Sequence, residues 1–270
     1  MGLYIEKIVK DSQVQTDIKA LIPDAGLRRR MSRVIKMSVS TAVECIGGID
    51  GIGSLDAIIT ATGYGCLADS EKFLRNVIND KEELLNPTPF IQSTFNTVGG
   101  QIALLSHNHC YNMTYVNRGH SFEDALLDGF MRAADGDASR MLIGAFDEKT
   151  DSQHEIMRRM GTWRKGECGE GAVFAVMTSG KSSVSIAEVT RIDFPESEMS
   201  AEECADKYGT VPGTKVLWNS FGQHGLFPTA SAMMFSDAVE MIRSGDEEVV
   251  IYNGLWSSSP AVTVLKRCIG

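Results

Sequence analysis

The sequence is short of positive charge: 26 lysines and arginines stand against 35 aspartates and glutamates, a formal net charge of −9. A protein that tracks a nucleic-acid backbone needs a cationic face, so nucleic acid is not an expected partner, although small basic patches remain compatible with the composition. Cysteine is sparse and scattered. Cys45, Cys66, Cys110, Cys168, Cys204 and Cys268 form no CxxC pair and no ladder of short spacings. That argues against a zinc module or a disulfide framework and reads as reduced thiols in a cytoplasmic protein. Long apolar runs are missing too: no window holds the ~18 uninterrupted apolar residues of a membrane span. The opening MGLYIEKIVK breaks its apolar stretch with Glu6, Lys7 and Lys10, so neither export nor a membrane is expected. Low-complexity tracts and close repeats are also lacking. What remains is 43% hydrophobic and 23% charged, a globular composition long enough to bury roughly three quarters of its unfolded surface.

Hydrophobic period places the elements. Residues 3 to 9 alternate as an edge strand. Arg28 to Ile46 put apolar groups at 34, 35, 39, 42, 43 and 46, a helical stripe ended by Gly47 and Gly48. LDAIITATGYG is a continuous apolar run too short for a helix, as expected of a strand buried on both faces of a parallel sheet. DSEKFLRNVIND reads as a helix, and so does IQSTFNTVGGQIALLS, whose pair Gly99-Gly100 implies close packing. Next come a strand (CYNMTYV), a helix (SFEDALLDGFMRAA), a strand (ASRMLIGAFDE), and GEGAVFAVMTS with SVSIAEVTRID as two strands joined by a Gly-Lys-Ser turn. Residues 194 to 214 are polar and acidic, and read as a surface excursion or hinge. A short strand (KVLWNS), a loop (FGQHG), a long helix with Pro228 near its first turn, and two closing strands complete the chain. Such alternation predicts an open α/β sheet.

Three constellations could carry chemistry. The turn Val116 to Ser121 joins an apolar strand to an amphipathic helix, where α/β enzymes present nucleophiles near the positive end of a helix. Gly119-His120-Ser121 resembles a serine hydrolase elbow, but that motif needs a small residue where Glu123 stands. The simpler reading makes Ser121 a helix N-cap, with Asp124 in the first turn, and His120 a solvated loop histidine rather than a base. In Phe221-Gly222-Gln223-His224-Gly225, glycines let a ligand approach the backbone and His224 could donate to an oxyanion or act as a base; a loop histidine bonded to a carbonyl is the alternative. The cluster His107-Asn108-His109-Cys110 invites a metal reading. Neighbouring strand positions point to opposite faces and no carboxylate lies alongside, so no metal is expected. Arg28-Arg29-Arg30 reads as a solvated helix start on which an acidic carrier or a phosphate could dock.

The order of these pieces resembles the β-ketoacyl synthases. NMTYVNRGHSFEDALLDGFMRAADGDASRMLIGAFDE is similar to the region around their nucleophile: a strand, an active-site turn, a helix, then a strand ending in Gly-x-x-Asp-Glu. LRRRMSRVIKMSVSTAVECI, IITATGYGCLADSEKFLRNVI, the opening Gly169 to Val173 of a long hairpin, and FGQHGLFPTASAMMFSDAVEMI fall in the same order. The resemblance implies a thiolase-like fold of five layers, α-β-α-β-α, dimerising through the strand before the nucleophile. It implies a ketoacyl-synthase-like half over residues 1–193 and a truncated C-terminal half over 194–270, together one compact domain. It also implies acyl chains delivered by an acyl carrier protein, with no cofactor.

Departures from that family shape the functional expectation. Active members carry a cysteine in the turn, polarised by two histidines. Here Tyr115, give or take a residue or two, takes the place of the thiol, and Cys110 lies too far upstream. His224 matches one family histidine, and the other has no counterpart. The sequence is most similar to cysteine-free relatives: chain length factors, and short proteins of aryl polyene and flexirubin-type pigment synthases. The resemblance therefore implies a condensation-inactive subunit of polyketide or fatty-acid assembly, paired with an active ketosynthase or with itself. Tyr115, Met113, Phe221 and Phe227 would line or fill its acyl site. Two alternatives stand beside it. One is an acyltransferase or thioester hydrolase with a rebuilt site, Ser121 or Tyr115 with His224 or His120 as base. The other is a non-catalytic lipid-binding or scaffold protein.

Overall fold

The computed structural model describes residues 2–162, 166–255 and 259–268. In chain order its elements are β1 (Leu3–Lys10), α1 (Ile18–Leu21), α2 (Ala25–Arg30), α3 (Arg33–Ile46), β2 (Ala57–Ala61), α4 (Leu67–Asn79), α5 (Pro87–Gln92), α6 (Thr97–Leu105), β3 (Tyr111–Tyr115), α7 (Ser121–Asp135), β4 (Arg140–Asp147), α8 (Asp151–Arg159), β5 (Gly171–Thr178), β6 (Ala187–Asp193), α9 (Ala201–Tyr208), β7 (Lys215–Trp218), α10 (Ser231–Ser244), β8 (Glu248–Asn253) and β9 (Ala261–Arg267).

The strands form one nine-stranded mixed sheet in the order β3-β2-β4-β5-β1-β6-β9-β8-β7. Outward from the β1–β6 junction the two sides repeat each other. β5 and β4 are antiparallel to their inner neighbours and β2 is parallel to β4. On the other side β9 and β8 are antiparallel to theirs and β7 is parallel to β8. Among the described residues the first side has a further parallel strand, β3, and the second has none. The second half is thus the shorter one.

Three apolar clusters show how the layers stack. The predicted stripe of α3 (Val34, Ile35, Val39, Ala42, Val43, Ile46) is buried against Ile58, Leu142, Phe146, Phe174 and Val176 on the outer face of the first half. The alternate residues of the same strands, Ile59, Ile143 and Ala175, face inward to α7 and α10. Those two helices touch through Phe122 and Phe235, ring to ring at 5.3 Å. On the far side Cys204 and Tyr208 of α9 cover Val250, Tyr252, Val262 and Val264. The result is α-β-α-β-α, with its central helical layer built from both halves. Burying one Ile or Phe of these seams contributes about 1.5–3 kcal/mol.

Several details depart from the sequence reading. β1 is not an edge strand, because both of its sides are paired and it joins the halves. For the same reason β5 and β6 are not a hairpin: β1 lies between them. The helix read from Arg28 to Ile46 breaks at Met31-Ser32, where extended backbone at Ser32 starts α3 anew. The 194–214 excursion contains α9, opened by a capping box in which Ser200 and Glu203 bond each other's backbone. The helix read across Gly99-Gly100 is two, α5 and α6. Gly99 is the closely packed one of the pair: a Cβ there would sit 2.7 Å from Asn112 Oδ1, which would have to move, whereas Gly100 meets open space.

Candidate functional site

The turn between β3 and α7 is built around Ser121, which is fully buried. Its Oγ accepts from Asn117 N at 2.8 Å and donates to Arg118 O at 2.9 Å. Ser121 is the first residue of α7 and not its N-cap; its hydroxyl locks the preceding turn, and its proton goes to a carbonyl and not to an imidazole. Asp124 accepts from Asn117 Nδ2 at 2.9 Å. His120 is buried, not solvated as its loop position suggested, with its ring edge-on to Phe194 at 5.5 Å. Burial pushes its pKa below the ordinary value.

Glu123, noticed in the sequence only as a misfit, is 3% exposed. Its Oε1 accepts from Asn253 Nδ2 at 2.8 Å, and the same amide donates to Gly119 O at 2.8 Å. Burial pushes this carboxyl up to about 7. Asn253 ends β8, so the second half reaches across to hold the start of α7.

Asp147, at the end of β4, makes the reciprocal reach. Its Oδ1 accepts from Thr62 Oγ1, Gly63 N and Tyr64 N at 2.9, 2.9 and 2.7 Å. Its Oδ2 accepts from Thr229 N and Oγ1 at 3.0 and 2.8 Å, just ahead of α10. Burial raises its hold on a proton and the donors oppose that. Next to it, Glu148 accepts from Ala68 N at 2.9 Å, and burial raises its pKa to about 7 although Arg33 lies 3.7 Å away.

His224 sits in the β7–α10 loop, where Asn219 and Gly225 take φ values of 46° and 77°. Its Nε2 meets Asp237 Oδ2 of α10 at 2.7 Å, and Lys10 Nζ holds the other oxygen at 3.0 Å. The bond thus goes to a carboxylate, not to a backbone carbonyl. The imidazole lines a cavity of about 490 Å³ together with Phe221, Gly222, Gln223 and Cys168.

The sequence candidates therefore separate. Phe221 and His224 share that cavity, and Phe227 is buried in the central core. His120 and Ser121 belong to the α7 turn. Tyr115 packs half-buried against the central core, and Met113, two residues earlier on β3, is 42% exposed. In the His107–Cys110 cluster, Asn108 braces the loop: Nδ2 donates to Ile52 O at 2.7 Å and Oδ1 accepts from Cys110 N at 2.6 Å. Among the described residues no three His, Cys, Asp or Glu side chains gather as a metal site. Arg29 and Arg30 are exposed and line a second cavity of about 390 Å³ with Lys72 and Asp69. Asp147 appeared in the sequence only inside the Gly-x-x-Asp-Glu strand end, and Asn253, Lys10 and Asp237 were missed. The signal for the first two was a polar residue closing an otherwise apolar strand.

A family described as "Beta-ketoacyl synthase, N-terminal domain" matches residues 6–210. No curated protein matches the chain. Among solved structures, the ishigamide ketosynthase/chain length factor superposes with a TM-score of 0.79 at 12% identity, covering 100% of both chains. A ketosynthase (ApeO) in complex with its chain length factor (ApeC) from Xenorhabdus doucetiae gives 0.63 at 13%, covering 99% of this chain and 100% of that one. The type II polyketide assembly AntDE:AntF gives 0.76 at 11%, covering 99% of each. At these identities the likeness is one of fold.

Proposed function

Because the chain belongs to the β-ketoacyl synthase family, we propose that it is a ketosynthase-like subunit without condensing activity of its own, of the chain-length-factor type. The observation that carries this reading is the α7 turn. Where the family resemblance expects a thiolate, residues Tyr115 to Ser121 offer no sulfur. The one hydroxyl at the helix start is spent on Arg118 O. Glu123 and Asn253 fill the space between the halves with a bonded polar pair. A turn so equipped has no nucleophile to accept an acyl chain.

Such a subunit needs a partner, and β3 is suited to meet one. It is the outermost strand on its side of the sheet, and Leu104 of α6, Met113, Val116 and Met131 of α7 are 52%, 42%, 43% and 55% exposed around it. An open strand edge with apolar flanks is ordinarily protected or paired. On this reading an active ketosynthase docks there, Met113 faces it, and Tyr115, Phe221 and Phe227 fill or line the remnant acyl site. Arg29, Arg30 and Lys72, on a chain of net charge −9, would receive an acidic acyl carrier protein.

Co-expression with a ketosynthase encoded beside it is expected to give a 1:1 complex that purifies intact, and the isolated chain is expected to make no product from malonyl and acyl carriers. Condensation by the isolated chain would sink the reading, as would failure to pair in the presence of a ketosynthase whose own activity requires a second subunit.

A further inference from the structure

Between Glu83 and Glu123 the sequence holds a single Asp, Glu, Lys or Arg, and it is Arg118. The chain as a whole is 23% charged and acidic, so a stretch of this length without one carboxylate sets the region apart. It comprises α5, α6, β3 and the turn into α7, and β3 is the outermost strand on its side of the sheet. The charges that α7 sets against β3 cancel: Arg132 pairs with Asp128 at 3.0 Å and lies 3.2 Å over the Tyr111 ring. An edge with exposed Met113 and Val116, two tyrosines and one arginine has the composition of an interface core, which is poor in charge and rich in Tyr, Met and Arg.

Arg118 is held there against two local preferences. Its φ is 50°, in the left-handed region that a residue with a Cβ enters at a cost. Hydrogen bonds on both sides fix it. Asn117 N donates to Ser121 Oγ at 2.8 Å, Asn117 O accepts from His120 N at 3.0 Å, Arg118 O accepts from Ser121 Oγ at 2.9 Å, and Gly119 O accepts from Asn253 Nδ2 of the other half at 2.8 Å. Strain maintained in this way is characteristic of functional positions. The second preference is electrostatic, because Arg118 lies three residues ahead of the fifteen-residue α7, whose positive end disfavours a cation. Its side chain is exposed and makes no hydrogen bond or ion pair among the described residues. The first-turn carboxylates are engaged elsewhere, Glu123 with Asn253 and Asp124 with Asn117.

We propose that Arg118 is the residue that selects the partner, pairing with a carboxylate on the ketosynthase that docks against β3. The inference rests on the reading of this chain as a ketosynthase-paired subunit and adds the chemistry its partner must carry. A guanidinium takes a carboxylate through two parallel N–H···O bonds, which fixes orientation as well as position. The uncharged edge supplies the apolar contact, and the arriving anion relieves the repulsion between Arg118 and α7. The locked backbone leaves less to order on docking. A second copy of this chain is a poor occupant, since a two-fold contact over residues 84–122 brings no carboxylate from that stretch to either Arg118.

The test is the affinity of the whole chain for the ketosynthase encoded beside it, measured by titration calorimetry at low and high salt. Arg118→Ala is expected to weaken pairing about 100-fold and Arg118→Lys, which keeps the charge without the fork, about 10-fold. Arg118→Glu is expected to abolish pairing. Arg118→Gly should weaken pairing like Ala while raising the melting temperature of the isolated chain, because glycine relieves the left-handed backbone; it serves if another variant fails to fold. Unchanged affinity in folded Arg118→Ala or Arg118→Gly, or pairing by Arg118→Glu as tight as by wild type, would overturn the inference and leave the chain-length-factor reading standing. Failure of the wild type to pair would remove that reading and this inference with it. A self-dimer of the isolated chain that Arg118→Ala dissolves would assign the arginine to a second copy and likewise overturn the proposal.

Discussion

The two halves run through the same strand order away from the β1–β6 junction, yet they close their inner strands differently. β4 ends in a carboxylate that takes five hydrogen bonds, three from the Thr62–Tyr64 segment of its own half and two from Thr229 ahead of α10. β8 ends in an amide that gives two, both to the start of α7. Each half therefore steadies the helix of the other, one through a buried charge and one through a neutral group. In the second case the titratable partner lies on the helix, as Glu123. The charged brace has every oxygen satisfied, and its loss strands many donors at once. The neutral brace shares its seam with Glu123, whose Oε2 makes no hydrogen bond of normal geometry among the described residues.

The strongest way to break this comparison is to delete the charged brace. Asp147→Ala leaves five donors without an acceptor in a fully buried place and is expected to lower unfolding free energy by about 4 kcal/mol, measured by urea denaturation with the slope unchanged. A loss no larger than that at Asn253 would remove the asymmetry between the halves.

Next in size is a pH effect peculiar to the second brace. Glu123 is raised in the fold to about 7, above the ~4.3 of an unfolded chain. The native state therefore holds a proton that the unfolded state releases. Its stabilising share is complete below the unfolded value and is lost as pH rises through about 7. Between pH ~4.5 and ~7 the wild type should lose up to about 3 kcal/mol relative to Glu123→Gln, a difference from which Glu148, titrating similarly in both proteins, cancels. Parallel stability curves for the two would place the charge elsewhere. Smaller again, Asn253→Ala takes the donor from Gly119 O and Glu123 and is expected to cost about 2 kcal/mol.

How much of this was legible follows the same division between local and long-range information. The stripe of α3 was readable because six apolar residues repeat at helical spacing on one short segment, and β2 because five consecutive small and branched residues admit no other burial. The place of β1 was not, since alternation fixes which face a residue takes and says nothing of how many neighbours a strand has. That Gly99 packs closely was legible from the cost of a helical glycine; which of Gly99 and Gly100 does so was not. At the site, the chemistry of His224 was visible, but its partners Lys10 and Asp237 lie 214 and 13 residues away, and only the fold brings them together. Ser121 misled in the opposite way. A serine at a helix start carries two ordinary meanings, and the choice between them rests on a carbonyl three residues back.

The smallest expected effect sharpens the comparison best. Lys10 and Asp237 also tie the two halves, β1 to α10, with an N–O distance of 3.0 Å. What differs is exposure: their side chains are 16% and 30% open to solvent, whereas Asp147 and Asn253 are sealed. If crossing between halves were what made a contact stabilising, Lys10→Met would cost as much as Asn253→Ala. If sealing decides, water takes over the freed carboxylate, His224 Nε2 keeps its bond to the other oxygen, and the loss is about 1 kcal/mol or less. The wild-type pair should then weaken in high salt, which screens exposed charges and leaves the sealed braces untouched. Chemical denaturation of Lys10→Met and Asn253→Ala at low and high salt measures both quantities, and a Lys10 loss that is large and indifferent to salt would mean that the seam itself, rather than its dryness, sets the cost.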